Sequence, residues 1–198
     1  AERPAEKVLL IVMTSDRGLA GAFNANTIKL AKSTIAEKYA DQQRKGNVTI
    51  WTIGKKGFEN FSRGNYKVDS SYRDIFLHLS FENVQQASKA AMKAFEEKQF
   101  DVVELVYSQF KNAATQRFVV ERFLPIPKVE KQAGATKADF VYDPSKTELI
   151  AELMPKILNT QLYKAILDSN ASEHGARMTA MDKASENANE MLRSLKIS

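Results

Sequence analysis

Cysteine is absent from all 198 residues, which excludes disulfides, thiol catalysis and thiolate metal sites and leaves the redox compartment open. Histidine is almost absent. His78 and His174 stand far apart in sequence, neither beside a second ligand at metal spacing, so no metal site is predicted. No apolar run approaches the roughly 20 residues that a membrane helix requires. There is no G-x-S-x-G nucleophile context, and Asp16 has no second carboxylate with which to share acid-base work. The residues on their own do not describe an enzyme. Internal repeats and low-complexity tracts are missing too.

What remains is a chain that is 43% hydrophobic, long enough for one domain plus an appendage. Its net charge of +5 permits a nucleic acid or an acidic protein surface as partner. The basic residues argue against the former, being interspersed with Asp and Glu. Arg44 and Lys45 have no aromatic neighbour on which bases could stack, and Phe58 and Phe61, after Lys55 and Lys56, have the spacing of a helix's core face. No nucleic-acid partner is expected. The opening AERPAEK lacks an initiator Met and reads as a processed or trimmed start.

Lys7 to Thr14, KVLLIVMT, is the apolar, branched run of a strand buried on both faces of a parallel sheet. Ile28, Ala31, Ile35 and Tyr39 then keep helical spacing, and Val48 to Ile53 is a second strand. A short Lys55 to Arg63 helix and a weak strand around Val68 follow. Ser80 is a good N-cap for a helix whose stripe is Val84, Ala87, Ala91, Ala94 and Phe95. Asp101 to Tyr107 is a strand, and KNAAT leads into Arg117 to Leu124 as a hairpin that adds an antiparallel strand, ended by Pro125 and Pro127. Lys128 to Lys137 reads as a surface connection, and FVY before Asp143 as a brief strand. Asp143 or Ser145 caps the helical end, where Pro155 predicts a kink or restart. The order predicts an α/β fold: a Rossmann-like sheet domain with crossover helices over residues 1–144, and a helical segment over residues 145–198.

The segment after the first strand, SDRGLAGAFN, sits where doubly wound proteins hold phosphates against a helix N-terminus. Gly18 and Gly21 match neither G-x-G-x-x-G nor a P-loop, and the second strand ends in Gly54, Lys55 and Lys56 instead of an acidic residue for a ribose. These glycines read more simply as a tight turn into the helix, with Ser15 or Asp16 satisfying its first amides. No cofactor is predicted.

At the other end, Ala171, His174, Met178, Met181, Ser185, Ala188, Leu192 and Leu195 recur at spacings of three and four. They form a weakly apolar coiled-coil seam that wants a second helix. Arg177, Asp182, Lys183, Glu186, Glu190, Arg193 and Lys196 fall off the stripe, facing water or a polar partner. A straight helix from Thr160 to Ile197 would run roughly 57 Å, past a globule about 42 Å across. Gly175 costs about 1 kcal/mol in a helix, but the heptad phase passes through it without a slip, so a projecting helix is predicted.

Two segments carry a family resemblance. SDRGLAGAFN after a buried first strand, and SEHGARMTAMDKASENANEM on the last helix, closely resemble the gamma subunit of F-type ATP synthases, and the order of elements between them agrees, including TELIAELMPKILNTQLYKAILDSNASEH. The resemblance makes Ser15, Asp16, Arg17, Gly18, Gly21 and Asn24 the family motif. It implies a central-stalk rotor whose Rossmann-like domain sits at the foot of a coiled coil made by the N- and C-terminal helices. It further implies an N-terminal helix upstream of Ala1 and a C-terminal tail beyond Ser198. Partners would be a ring of three alpha and three beta subunits, an epsilon subunit and a membrane c-ring, with catalysis on other subunits and membrane association only through the complex. Location would be the cytoplasmic face of the bacterial inner membrane, or the matrix face of the mitochondrial one. Many members carry Cys where this chain has Ala20, and chloroplast forms have a cysteine-bearing insertion lacking here, so thiol regulation is not expected. The competing reading is a mononucleotide- or small-ligand-binding α/β domain using the Ser15–Asn24 loop.

Overall fold

The structure, a computed structural model, describes residues 3–126 and 144–197. Strands β1 (Val8–Met13), β2 (Val48–Ile53), β3 (Lys67–Asp69), β4 (Val102–Asn112) and β5 (Thr115–Leu124) form one sheet in the order β3-β2-β1-β4-β5. The first four are mutually parallel and β5 runs antiparallel to β4. Helices α1 (Phe23–Lys38), α2 (Ala40–Arg44), α3 (Lys55–Arg63), α4 (Phe81–Glu96) and α5 (Pro144–Ile197) complete the fold.

Because side chains alternate across a strand, β1 sorts its apolar run into two cores. Leu9, Ile11 and Met13 meet Ile53, Leu105 and Tyr107 on the side that α4 and α5 cover, while Val8, Leu10 and Val12 meet Ile28, Ala31 and Ile35 of α1 on the other. All six β1 residues are buried, as the uninterrupted run predicts. Ser80 caps α4 by accepting from the Asn83 N–H at 3.1 Å.

Several predictions from sequence need revision. The hairpin arms are longer than predicted, with β4 reaching Asn112 and β5 starting at Thr115, so KNAAT contracts to a two-residue turn at Ala113 and Ala114. Cross-strand pairing extends past the end of β1 because the packed α5 supports the tip. No restart occurs at Pro155: α5 is one helix of 54 residues, roughly 81 Å at 1.5 Å per residue. Proline removes an amide donor and crowds the carbonyl of Ala151 there, but Leu158, Leu162, Ala165 and Ile166 anchor the next turns in the core and hold the helix together. Ser145 lies inside α5, whose first residue is Pro144, so it is not the cap. Asp143, Pro127, the FVY segment and Lys128 to Lys137 lie outside the described residues.

Polar contacts pin the layers where hydrophobic packing has no direction. Asn159 of α5 is fully buried, receiving the Ser88 hydroxyl at 3.1 Å and donating to the Phe81 carbonyl at 3.2 Å, which sets α5 against α4. Glu104, 3% exposed on the α1 face of β4, accepts from Lys38 Nζ at 2.9 Å and from the Tyr39 hydroxyl. Burial, with the hydrogen bond to Glu104 and its charge, pushes the Tyr39 phenol well above its ordinary range. Near the first described residues, Arg3 donates to Asp101 Oδ1 at 3.0 Å and to the carbonyls of Phe95 and Phe100, while Asp101 Oδ2 accepts the Glu6 and Lys7 amides.

Desolvation pushes the Asp101 carboxyl up, but the Lys7 amide, the Arg3 guanidinium and the Glu6 amide together pull harder, and it stays below its ordinary value of 3.8. A depressed carboxylate contributes stability above its unfolded value and loses it as pH falls through the folded one. Asp101→Asn should therefore lower stability at neutral pH by about 1–3 kcal/mol and flatten the loss of stability on acidification below pH 3.8. Urea denaturation at a series of pH values checks both effects.

Candidate functional site: the joint between sheet and long helix

The C-terminal ends of β1 and β4 are neighbours at the point where the strand order reverses, β1 leading into α1 on one face and β4 into its hairpin with β5, and open α/β sheets place a ligand crevice at such a switch point. Here α5 fills it. Ser172 donates to the Ser108 carbonyl at 3.3 Å, just past the last β1–β4 pair, Val12 with Val106. One turn on, Arg177 donates from Nη1 to the Gly18 carbonyl at 2.6 Å and from Nη2 to Glu173 at 3.1 Å, with both side chains only 12% exposed. Ala176 packs with Ala20, Phe23 and Phe118 in a separate small core.

The motif loop is built to receive that helix. Asn24, in the first turn of α1, accepts the Ser15 amide through Oδ1 at 2.9 Å and donates through Nδ2 to Ser15 Oγ at 2.8 Å, closing the loop on itself. The turn uses two left-handed positions, Leu19 at φ 65° and Gly21 at φ 59°. Gly21 supplies the turn geometry predicted for it; Gly18 does not take a positive φ, and its part in the joint is the carbonyl it offers to Arg177. The predicted capping is also redistributed. Asp16 accepts the Lys55 amide at 3.1 Å and so serves the start of α3, whereas α1 begins at Phe23, after Ala22, without a side-chain cap. Arg17 is exposed.

Gly175 is explained by the same joint. A Cβ there would stand 2.7 Å from the Ala113 carbonyl oxygen and 3.0 Å from its Cα, so the hairpin turn lies against the bare helix backbone. Thr179, one turn later, donates to that carbonyl at 3.3 Å. The helix passes through Gly175 unbroken, as the heptad phase predicts.

The seam lies on the opposite side. Ala171 is half-buried, while His174, Met178, Met181, Ser185, Ala188, Leu192 and Leu195 are exposed, with Met178 at 59% and Leu195 at 69%. From Met181 to Ile197 every residue of α5 is exposed. Arg177, read from sequence as facing water or a polar partner, instead turns into the domain. Glu173 and Ser172, unremarked in the sequence, are buried beside it. The available signal was the Glu173–Arg177 spacing of four on a helix, where such a pair meets.

An open groove of about 400 Å³ runs beside the joint, between Phe23, Phe118, Ala180 and Asn187. Lys183 is its one charged lining residue, so it offers no acid-base pair. Among the described residues no cluster of His, Asp or Glu has the arrangement of a metal site. His78 and His174 lie on different elements, the short 3₁₀ turn Ile75–His78 and α5.

Two outcomes follow from this geometry. Gly175→Ala should destabilise the chain, because overpacking against rigid backbone costs about 1–3 kcal/mol and exceeds the roughly 1 kcal/mol that alanine gains in a helix; urea unfolding measures the net sign. With the crevice filled by α5, calorimetric titration with ATP or NAD should show no saturable binding tighter than about millimolar. Tighter binding that is lost in Gly21→Val would restore the ligand-binding reading.

The matches to known proteins agree with this architecture. A family model described as ATP synthase matches residues 1–198. The ATP synthase gamma chain of Cytophaga hutchinsonii is 48% identical over 199 residues, covering 99% of this chain and 68% of that protein. Those of Flavobacterium johnsoniae and Chlorobaculum tepidum are 46% and 44% identical, with 66% and 65% of their lengths covered. The chain thus spans about two thirds of these relatives. Among solved structures, a chain from the central stalk and c-ring of the Tetrahymena thermophila mitochondrial ATP synthase aligns at TM-score 0.63 and 21% identity, covering 93% of this chain and 79% of that one. A rotor chain of the Euglena gracilis mitochondrial enzyme aligns at TM-score 0.63 and 17% identity, covering 98% and 72%. At those identities the structural matches speak for the fold, and the curated relatives for the family. This chain belongs to the ATP synthase gamma-chain family.

Proposed function

We propose that the chain is the central-stalk rotor subunit of an F-type ATP synthase, coupling proton flow through a membrane ring to conformational change at catalytic sites on other subunits. The observation that carries this reading is the joint itself. The two segments on which the family resemblance rests, SDRGLAGAFN and the start of SEHGARMTAMDK, lie in contact and bind a long exposed helix to a sheet domain. That is the form of a shaft on a foot. Residues 1–144 are the foot, and residues 145–198 lead into the shaft.

The subunit carries no catalytic residues or cofactor in this reading. Its work is a coupling free energy: rigid-body contacts that differ with rotor angle bias each surrounding site among states of different nucleotide affinity. The seam from Ala171 to Leu195 is the face for a second helix, supplied by sequence upstream of Ala1. Each of Met178, Met181, Leu192 and Leu195 would contribute about 1.5–3 kcal/mol on burial against it. Partners are the alpha and beta subunits, epsilon and the c-ring. No described helix is long and apolar enough to cross a membrane, and the subunit's place is peripheral, on the cytoplasmic face of a bacterial inner membrane, as the bacterial relatives favour.

Affinity purification of the full-length tagged gene product from solubilised membranes, followed by mass spectrometry, is expected to recover ATP synthase alpha, beta and epsilon subunits. Recovery of the chain alone, or with unrelated proteins, would remove the rotor reading.

A further inference from the structure

The contacts that hold α5 to the domain differ in kind along its length. Below, Leu158, Leu162, Ala165 and Ile166 sink into the core shared with the sheet and α4. Above, the buried face is Ser169, Ser172, Glu173 and Ala176, with no large apolar side chain entering the domain. Apolar burial is non-directional, so orientation at the upper end comes from polar contacts and from the fit of Gly175 against the hairpin. Of the polar contacts there, Ser172 to Ser108 and Thr179 to Ala113 are both 3.3 Å and neutral. Arg177 makes the 2.6 Å contact, is charged and mostly buried, and joins segments 159 residues apart in sequence.

We propose that Arg177, braced by Glu173, is the positioning residue that fixes the direction and rotational register of the projecting part of α5 against the sheet domain, so that torque crossing the joint passes through its contact with the Gly18 carbonyl. The proposal rests on the rotor reading. Three features support it. The anchor is stiff, since Gly18 belongs to the loop closed by Ser15 and Asn24. The clasp sits at the exit point, because four residues later the helix becomes exposed at Met181 and stays so to Ile197. That projecting stretch is roughly 25 Å long, so a small rotation at the joint becomes a large displacement at its end. Finally, the contact uses what is particular to arginine: a planar fork that holds a carbonyl and a carboxylate together, which the single ammonium of lysine reproduces poorly.

The test uses the complete complex, carrying the full-length chain and reconstituted in vesicles, with Arg177→Met, Arg177→Lys and Glu173→Gln. ATP hydrolysis and ATP-driven proton pumping are measured on the same preparations. Arg177→Met is expected to leave hydrolysis close to wild type and to lower pumping per ATP by about fivefold, the low end of typical coupling free energies. Arg177→Lys and Glu173→Gln should fall between. Pumping per ATP that matches wild type in Arg177→Met, including a parallel fall of both activities, overturns the proposal. Should Arg177→Met complexes not assemble, the two milder variants decide, and unchanged pumping per ATP in both overturns it. Failure of the wild-type chain to assemble with the catalytic ring instead removes the rotor reading, independently of any variant.

Discussion

The structure depends on how one face of a 54-residue helix meets a five-stranded sheet. A helix of that length has far more surface than the sheet domain covers, and its buried side chains among the described residues fall between Leu158 and Ala176. Within that stretch the lower turns bury aliphatic side chains and the upper turns bury small and polar ones. The small residues let the hairpin turn and the first loop approach the helix backbone, most closely at Gly175. The polar ones then give that close approach a direction. Hydrogen bonds to carbonyls at the C-terminal edge of the sheet orient the helix where apolar packing alone has no preferred angle.

This attachment takes over the position that gives many α/β proteins their chemistry. The switch point between β1 and β4 exposes backbone groups and a helix N-terminus that suit a phosphate. Here one such donor, the Ser15 amide, is committed internally, and two nearby carbonyls receive α5. The Ser15 amide goes to Asn24, the Gly18 carbonyl to Arg177 and the Ser108 carbonyl to Ser172. A fold that usually holds a ligand at this edge holds a piece of its own chain, and the resulting site is mechanical.

The two faces of α5 divide the work. One is fitted to the sheet domain and ends near Ala180; the other carries the apolar stripe from Ala171 to Leu195 outward. The two faces overlap between Ala171 and Ala180. A helix packed there on both sides would leave its charged side chains little water, which accounts for Glu173 and Arg177 satisfying one another within the joint.

Much of the fold was legible in the amino-acid sequence because its signals are local. The unbroken apolar run of β1, the spacing of Ile28, Ala31 and Ile35, and the Ser80 cap each follow from backbone geometry acting over a few residues. The seam was legible for the same reason, since helical periodicity sorts residues into faces without reference to anything else. What periodicity cannot report is which face meets the domain. Gly175 reads as a weak point until the hairpin turn is seen against it, and Arg177 reads as a solvated charge until the Gly18 carbonyl is seen in front of it. Asp16 likewise caps α3 instead of α1, a choice made by the parallel pairing of β1 with β2. By itself the sequence determined the elements, their order and the apolar stripe of the last helix. Only the tertiary structure decided that the first loop and the last helix form one joint, because contacts between residues far apart in the chain depend on chain closure and close packing, which no local pattern encodes.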